Sequence, residues 1–189
     1  FDRLFDKNKY NRHPWEISRR DVLLKLLKSS KIKFPVKRIV DIGGGDAFII
    51  NEIYRQNLAS AYFTIDTAYS PEIISQLKAN YGENPIYYVQ NLTDYFANFP
   101  SEENTLFLCM DVLEHLENEN EILNHLTEKN NYFLFAVPAF QSVFSNHDVL
   151  LGHYRRYNLN QLQQVLKQHQ FQIQDKGYDF TSLLFVRCL

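Results

Sequence analysis

Length, composition and charge limit what this chain can be. Its 189 residues, 45% of them hydrophobic, suffice for one well-buried domain and are short for two, so we predict a single domain over 1–189. A net charge of -2 offers no broad basic surface to a phosphate backbone, which excludes nucleic acid as an expected partner.

The cysteines and the chain ends bear on location. Cys109 lies in an apolar run and Cys188 near the end, without metal-motif spacing or the density of secreted disulfide frameworks, so we expect a reducing cytoplasm. We recognise neither a signal peptide nor a membrane-spanning run. Residue 1 is not Met and residues 183–189 are mostly apolar. We therefore expect the chain to continue beyond residue 189, and membrane association only through such an extension.

An amphipathic helix is predicted near the start of the chain. Apolar residues recur at helical spacing from Ile17 to Lys28, and the single Trp of the sequence, Trp15, comes just before them. We assign 1–34 to an N-terminal helical segment and 35–189 to the core. Trp15 either anchors this helix or covers a ligand.

A glycine-rich turn follows the first predicted strand. Ile39, Val40 and Ile42 surround Asp41 in a pattern typical of a buried parallel strand. Gly43, Gly44 and Gly45 then form a turn, and apolar residues at helical spacing follow it. Strand, glycine turn and helix predict a nucleotide-type cofactor site at the carboxyl end of the strand.

The spacing within this turn distinguishes two cofactors. A dinucleotide fingerprint needs glycine or alanine where this chain has Phe48, which is too large. Asp41, Gly43 and Gly45 fit Asp-x-Gly-x-Gly-x-Gly, with Ala47 replacing the last glycine. This resembles motif I of the class I S-adenosylmethionine (SAM) methyltransferases. The resemblance implies that the turn passes under the methionine part of SAM and that Asp41 helps to hold its amino group.

The second and third predicted strands add cofactor candidates. Residues 61–65 end at Asp66, whose carboxylate can accept hydrogen bonds from both ribose hydroxyls of SAM or of NAD. Ser70 and Pro71 then begin a helix. Residues 86–90 form the third strand, after which the resemblance implies that Asn91 and Leu92 contact adenine. Asn is equally favoured in plain turns, so that alternative stays open.

The fourth predicted strand, 105–110, is almost wholly apolar and therefore central. The sequence that follows it, Asp-Val-Leu-Glu-His-Leu over 111–116, resembles motif IV of many small-molecule methyltransferases. The resemblance implies that Met110 and Asp111 line the pocket, with His115 on the next helix as its wall. We interpret the acidic run 114–121 as the solvated face of that helix.

A loop dense in polar residues follows the fifth strand, 132–137. Its Ser-x-His-Asp and Gly-His-x-Arg-Arg-Tyr segments, within 145–157, resemble one group of bacterial SAM methyltransferases. We expect His147, oriented by Asp148, to be the general base, with His153 as second choice.

The same loop, together with Trp15, is expected to bind the acceptor. Of Arg155, Arg156 and Tyr157, we expect only one arginine to face the acceptor and the other to pair with an acid, Asp148 being nearest in sequence. The N-terminal His13, Trp15 and Arg19 or Arg20 resemble a pattern in a branch of the family. A zinc site lacks a third or fourth ligand at suitable spacing, and a salt-bridged surface loop is the other alternative.

The end of the chain completes a fold prediction. A helix begins near Asn158, and residues 171–174 alternate as a strand. The family sheet has seven strands, the last antiparallel, and we find no candidate for that strand. We predict an α/β three-layer sandwich with a Rossmann-like, mostly parallel sheet, lacking its last strand.

The predicted function is methyl transfer from SAM to an acceptor of unknown identity, either a small molecule or a lipid- or sugar-type compound. Two alternatives from other classes remain. One is an NAD-linked Rossmann oxidoreductase, against which Phe48 stands. The other is a non-catalytic partner subunit with a SAM fold, against which the intact histidine and arginine loop stands.

Overall fold

The computed structural model describes residues 12–100, 102–126 and 130–179. The elements in chain order are α1 (Pro14–Ser29), β1 (Val36–Ile42), α2 (Phe48–Tyr54), β2 (Ala59–Ile65), α3 (Pro71–Tyr81), β3 (Ile86–Val89), α4 (Leu92–Asn98), β4 (Thr105–Met110), α5 (Asn120–Leu123), β5 (Tyr132–Ala136), α6 (Asn146–Leu150) and α7 (Leu159–Gln168). Two 3-10 turns, Leu113–His115 and Gln141–Val143, precede α5 and α6. Every predicted strand up to the fifth is present.

The five strands form one parallel sheet in the order β3-β2-β1-β4-β5. In its register Asp41 lies opposite Thr64, and Ile65 opposite Val89. The chain proceeds outward from β1 through β2 to β3 and then returns to the other side of β1, so β1 is central and its carboxyl end lies at the switch in strand order. The Rossmann-like fold class is thereby confirmed. The glycine turn leaves the sheet at this end of β1.

The described residues divide into two compact units. The first contains the chain up to Leu108 together with 130–134, and the second contains 109–126 and 135–179. The sheet core of the first unit includes Ile39 and Val40, which are fully buried. The second has a core of its own, made of Cys109, Leu113, Leu123, Tyr157 and Leu166. The single domain stays a prediction.

Two local predictions are wrong. Residues 171–174 form no strand, since Phe171 and Ile173 pack directly on the core of the second unit and the chain there joins no sheet. The run 114–121 is not one solvated helix, because a 3-10 turn occupies 113–115 and Glu114 is fully buried. An alternating pattern of apolar residues or a run of charges predicts which side chains face solvent only if the helix or strand has been assigned correctly.

Some expectations concern the chain ends and the membrane. The apolar run 183–189 and the predicted missing strand lie outside the described residues. Among the helices that the structure describes, none combines the length and the apolar character needed to cross a bilayer.

Candidate functional site

The glycine turn adopts a backbone that few residue types tolerate. Gly43 has a φ of 71° and Gly45 a φ of 53°, both left-handed. Gly44 is required for a different reason, because a Cβ there would lie 1.9 Å from Thr64 Oγ1 on β2. The backbone of the turn at Gly44 therefore packs directly against Thr64 near the end of β2.

Asp66 fixes the turn from the end of β2. Its Oδ2 accepts a hydrogen bond from the Gly45 N–H at 2.9 Å, and its Oδ1 accepts one from the Ala68 N–H at 3.0 Å. A Cβ on Gly45 would meet nothing within 4 Å, so the turn is open on that side. A carboxylate keeps further lone pairs after two such bonds. The arrangement therefore fits a ribose whose hydroxyls approach Asp66 across the open face of Gly45.

Asp41 is buried beneath the same turn. Burial raises the pKa of its carboxyl to about 7, the charge of Arg19 lowers it, and Asp66 and Asp46 raise it. An acid in this state is half-protonated near neutral pH. A cationic ligand group placed beside it would favour its charged form.

Two arginines, Arg12 just before α1 and Arg20 within it, contact α2 and the residues at its start. The Arg12 guanidinium pairs with Asp46 at 2.6 Å and lies 4.0 Å from the centroid of the Phe48 ring. Arg20 pairs with Glu52 at 3.1 Å. The Phe48 ring thus contacts Arg12, and it occupies the position where binding of a pyrophosphate would require a small residue. Asp46 accepts from the Phe48 N–H at 3.2 Å, as expected of a capping residue, although the N-cap itself is Ala47.

Trp15 lies at the first turn of α1 with 40% of its surface exposed. The Arg19 guanidinium lies 5.3 Å from the centroid of its ring. The contact orients the indole without burying it. Its role in acceptor binding stays a prediction.

Asn91 serves as the N-cap of α4. Its side-chain oxygen accepts from the Asp94 N–H at 2.8 Å, and its amide nitrogen donates to Asp94 Oδ2 at 2.8 Å. Leu92 beside it is buried. Of the two alternatives that the sequence left open, the turn and cap role is the one with observed contacts, and adenine binding stays a prediction.

Three buried polar residues behind the turn were missed by the sequence analysis. Thr64 Oγ1 lies 2.9 Å from the hydroxyl of Tyr69. Asn51, fully buried, donates to the Ala47 carbonyl at 2.8 Å. A polar residue among the isoleucines of α2 was the available signal, because buried amides need partners.

The candidates at the carboxyl end of β4 belong to the second unit. Asp111 has a φ of 54°, which is costly for a residue other than glycine, and its N–H donates to the Ala136 carbonyl at 2.9 Å. Met110 before it is half-buried. The backbone strain at Asp111 fits a site residue, while contacts of Met110 and Asp111 with SAM stay a prediction.

Asp148 is the centre of the polar loop. It is fully buried and accepts hydrogen bonds from Arg156 Nε at 2.7 Å and from the Ser145 N–H at 2.9 Å, and its Oδ1 lies 3.0 Å from His153 Nδ1. Burial by itself would raise the pKa of this carboxyl, but the hydrogen bonds outweigh it and hold the pKa well below its usual value.

The expected orientation of His147 by Asp148 is wrong. His147 is exposed on α6, and the carboxylate faces His153 instead. The reason is geometric: adjacent residues on a helix point about 100° apart, so a buried Asp148 leaves His147 in solvent. His153 thus takes precedence as the oriented imidazole.

Both arginines of the loop pair with acids inside the second unit. Arg156 pairs with Asp148 at 2.6 Å. Arg155 pairs with Glu119 at 2.6 Å and donates to the Glu117 carbonyl at 2.6 Å. The expected pairing of one arginine with Asp148 is thus observed at Arg156. The other arginine, Arg155, also pairs with an acid, because Glu119 of the preceding segment reaches it. Tyr157 is buried and donates to Glu119 Oε1 at 2.7 Å, which favours a structural role.

A second cluster adjoins the loop within this unit. The carboxylate of Glu114 and the imidazoles of His115 and His153 each offer one ligand atom, all within 4.8 Å of one another. The two rings meet edge to face with centroids 4.6 Å apart. The sequence placed His115 and His153 in separate motifs, and folding brings them together.

Comparison with known proteins identifies the fold. No protein-family model and no curated protein sequence matches the chain. An O-methyltransferase family protein from Burkholderia thailandensis matches with a TM-score of 0.64 and 11% identity, over 86% of this chain and 54% of that one. The [4+2]-cyclase SpnF matches with a TM-score of 0.62 and 15% identity, over 89% and 62% respectively.

A third solved structure is coclaurine N-methyltransferase bound to N-methylheliamine and S-adenosylhomocysteine (SAH). It matches with a TM-score of 0.51 and 13% identity, over 71% of this chain and 40% of that one. The chain thus spans less than two thirds of the length of each of the three. At such low identities these likenesses show the fold, which is that of the class I SAM-dependent methyltransferases.

Proposed function

We propose that this chain is a SAM-dependent methyltransferase acting in the cytoplasm on a small-molecule or lipid- or sugar-type acceptor. The observation that carries the proposal is the contact between the Asp66 carboxylate and the Gly45 N–H, above a buried Asp41. This arrangement fits a ligand that binds at the glycine turn with its ribose on Asp66 and its ammonium group on Asp41. SAH in the N-methyltransferase of similar fold supports the same choice of cofactor.

The residues of the turn would act by positioning. Bound SAM supplies a methyl group on a sulfonium, so the reaction is an in-line displacement in which the methyl–sulfur bond breaks, a bond to the acceptor forms, and SAH leaves. Asp66 would accept the ribose hydroxyls, and Asp41 would pair with the amino group. Gly45 would admit the ligand because its open face carries no side chain.

His153 is the preferred base for an acceptor that must lose a proton. Its Nδ1 faces the ionised Asp148, so the Nε2 carries the lone pair when the ring is neutral. Asp148 is itself fixed by Arg156 and Ser145. The pair therefore holds one imidazole tautomer in one orientation, which proton transfer requires.

The two alternative functions predict different ligands and different rates of methyl transfer. An NAD-linked enzyme would bind NADH at the turn, against which the contact of Phe48 with Arg12 stands. A non-methylating SAM-fold protein would bind SAM without turnover. The [4+2]-cyclase of similar fold is a named example of another reaction on this architecture.

Calorimetry and a labelled methyl donor test the proposal. We expect the full chain to bind SAM and SAH but not NADH, and Gly45→Val to abolish binding because a branched residue at a φ of 53° both strains the turn and fills its open face. Asp66→Ala should weaken binding by about 2–3 kcal/mol. Gly177→Val, at a site with nothing within 4 Å, is the control.

Methyl transfer from labelled SAM to fractionated small-molecule extract then tests turnover. NADH binding at the turn without SAM binding would overturn the proposal. SAM binding without transfer to any fraction would favour the non-methylating alternative.

A further inference from the structure

Three potential metal ligands converge in the second unit. Glu114 and His115 lie on the 3-10 turn after β4, and His153 follows α6. Their nearest ligand atoms all lie within 4.8 Å of one another. Glu114 is fully buried, the side chain of His153 is 8% exposed, and His115 faces solvent. The cluster therefore has a fixed inner side and one accessible side.

Observed contacts already orient the imidazoles. His153 Nδ1 lies 3.0 Å from the Asp148 carboxylate, which Arg156 holds in place. Metal-bound histidines ordinarily use their second ring nitrogen in this way, on a carboxylate or a backbone carbonyl. In His153 the other nitrogen, Nε2, is thereby left for a ligand. The His115 ring meets the His153 ring edge to face, with centroids 4.6 Å apart.

We propose that Glu114, His115 and His153 bind one divalent transition-metal ion of the zinc type. Two imidazoles and a carboxylate are a donor set that Zn²⁺ takes in sites with an open position. Bonds of about 2.0–2.2 Å place tetrahedral ligands about 3.4 Å apart. The observed limit of 4.8 Å is wider, so metal binding would draw the three ligand atoms closer together.

The open position leaves the ion one further ligand, and a hydroxyl group bound there would lose its proton to solvent more readily, because the cation stabilises the oxyanion. His153 would then serve as a ligand and not as the base.

Metal binding is tested without SAM or an acceptor, so its failure and that of the proposed function are distinguishable. The full chain, stripped with a chelator, is titrated with Co²⁺ while its visible absorption is recorded, and with Zn²⁺ by calorimetry. We expect one equivalent per chain. His115→Ala and Glu114→Gln should each weaken affinity by at least about 100-fold, beyond the range for loss of an outer hydrogen bond.

Two variants keep the result interpretable. His115→Ala removes an exposed ligand and leaves the buried ones, so it remains informative if Glu114→Gln does not fold. His147→Ala removes an exposed imidazole outside the cluster and should bind Co²⁺ like the parent. The proposal is overturned if the parent binds no metal, if His115→Ala binds like the parent, or if only His147→Ala loses binding.

Discussion

At the scale of single residues, Gly44 shows how one missing side chain determines a turn. Its backbone lies outside the left-handed region, so an alanine there would be opposed by side-chain contacts alone: Thr64 Oγ1 at 1.9 Å, the Tyr69 hydroxyl at 3.0 Å and Thr64 Cβ at 3.2 Å. The glycine is required by packing, whereas Gly43 and Gly45 are required by their dihedral angles. Sequence spacing alone treats the three glycines alike.

We expect Gly44→Ala to lower the free energy of unfolding by about 1–3 kcal/mol through overpacking. Gly177→Ala is the matched control, since its Cβ meets nothing within 4 Å and its φ is ordinary, and it should cost nothing. Thr64→Ala should remove the closest of the contacts, that with Oγ1, so the double variant should cost less than the sum of the single ones. Urea denaturation measures all four. Additive costs would show that Thr64 is not the obstacle.

Asp41 makes stability depend on pH. Burial raises its pKa in the folded state to about 7, well above the ordinary value of an aspartate, so the folded state retains a proton that the unfolded state loses. The stabilisation from this proton is present at low pH and is lost as pH rises from about 4 to about 7. Above about pH 7 the free-energy cost of burying the ionised carboxylate no longer changes with pH.

We therefore expect the parent, compared with Asp41→Asn, to lose about 3 kcal/mol of unfolding free energy between pH 5 and pH 8, at about 1.4 kcal/mol per pKa unit. Asparagine keeps the shape and cannot ionise. Urea denaturation of both proteins at the two pH values gives the difference. A difference that does not change with pH would mean that Asp41 titrates normally.

At the scale of elements, the segment from α6 to α7 is organised by a buried ion pair. Asp148 and Arg156 are both buried, and the carboxylate also joins Ser145 and His153. A second pair, Arg155 with Glu119, fastens the same segment to the turn before α5. The loop that the sequence marked for acceptor binding is thus held by its own charges.

We expect Asp148→Asn to destabilise the protein by about 3–5 kcal/mol, because the guanidinium of Arg156 would remain buried without a counter-charge. Glu121→Gln, an exposed acid of the same unit, should stay within about 0.5 kcal/mol of the parent. Thermal and urea denaturation measure both. Equal stability of the two variants would show that the pair contributes little.

At the scale of the whole molecule, the number of domains depends on whether the two compact units unfold together. The described residues cluster into two units, while the length of the chain favours one domain. Trp15, the single Trp of the sequence, reports on the first unit. A reporter for the second can be introduced at Tyr154, which is 56% exposed.

We expect Trp15 fluorescence of the parent and that of a Trp15→Phe, Tyr154→Trp variant to give coincident urea transitions, together with far-UV circular dichroism. Coincidence would support a single domain over 1–189. Circular dichroism of both proteins controls for an effect of the substitutions on stability. Transitions at different urea concentrations would instead indicate two domains.

Local pattern was enough to determine much of this protein. The strands, the glycine turn, the helix starting at Pro71 and the acid at the end of β2 were predictable, because hydrophobic periodicity, glycine and capping residues act over a few neighbouring residues. The order of the motifs along the chain then indicated the fold, which the structure confirms. The strand predicted at 171–174 is wrong because apolar and polar residues also alternate in segments that pack on a core without forming the hydrogen bonds of a sheet.

Only the tertiary structure decided which polar groups meet. Asp148 is adjacent to His147 in sequence but faces His153 and Arg156, since burial selects one direction from the helix. Glu114 appeared to belong to a solvated acidic run, and folding buried it beside two imidazoles. Such contacts join residues far apart in the chain, and their energies depend on burial, which the sequence does not encode locally.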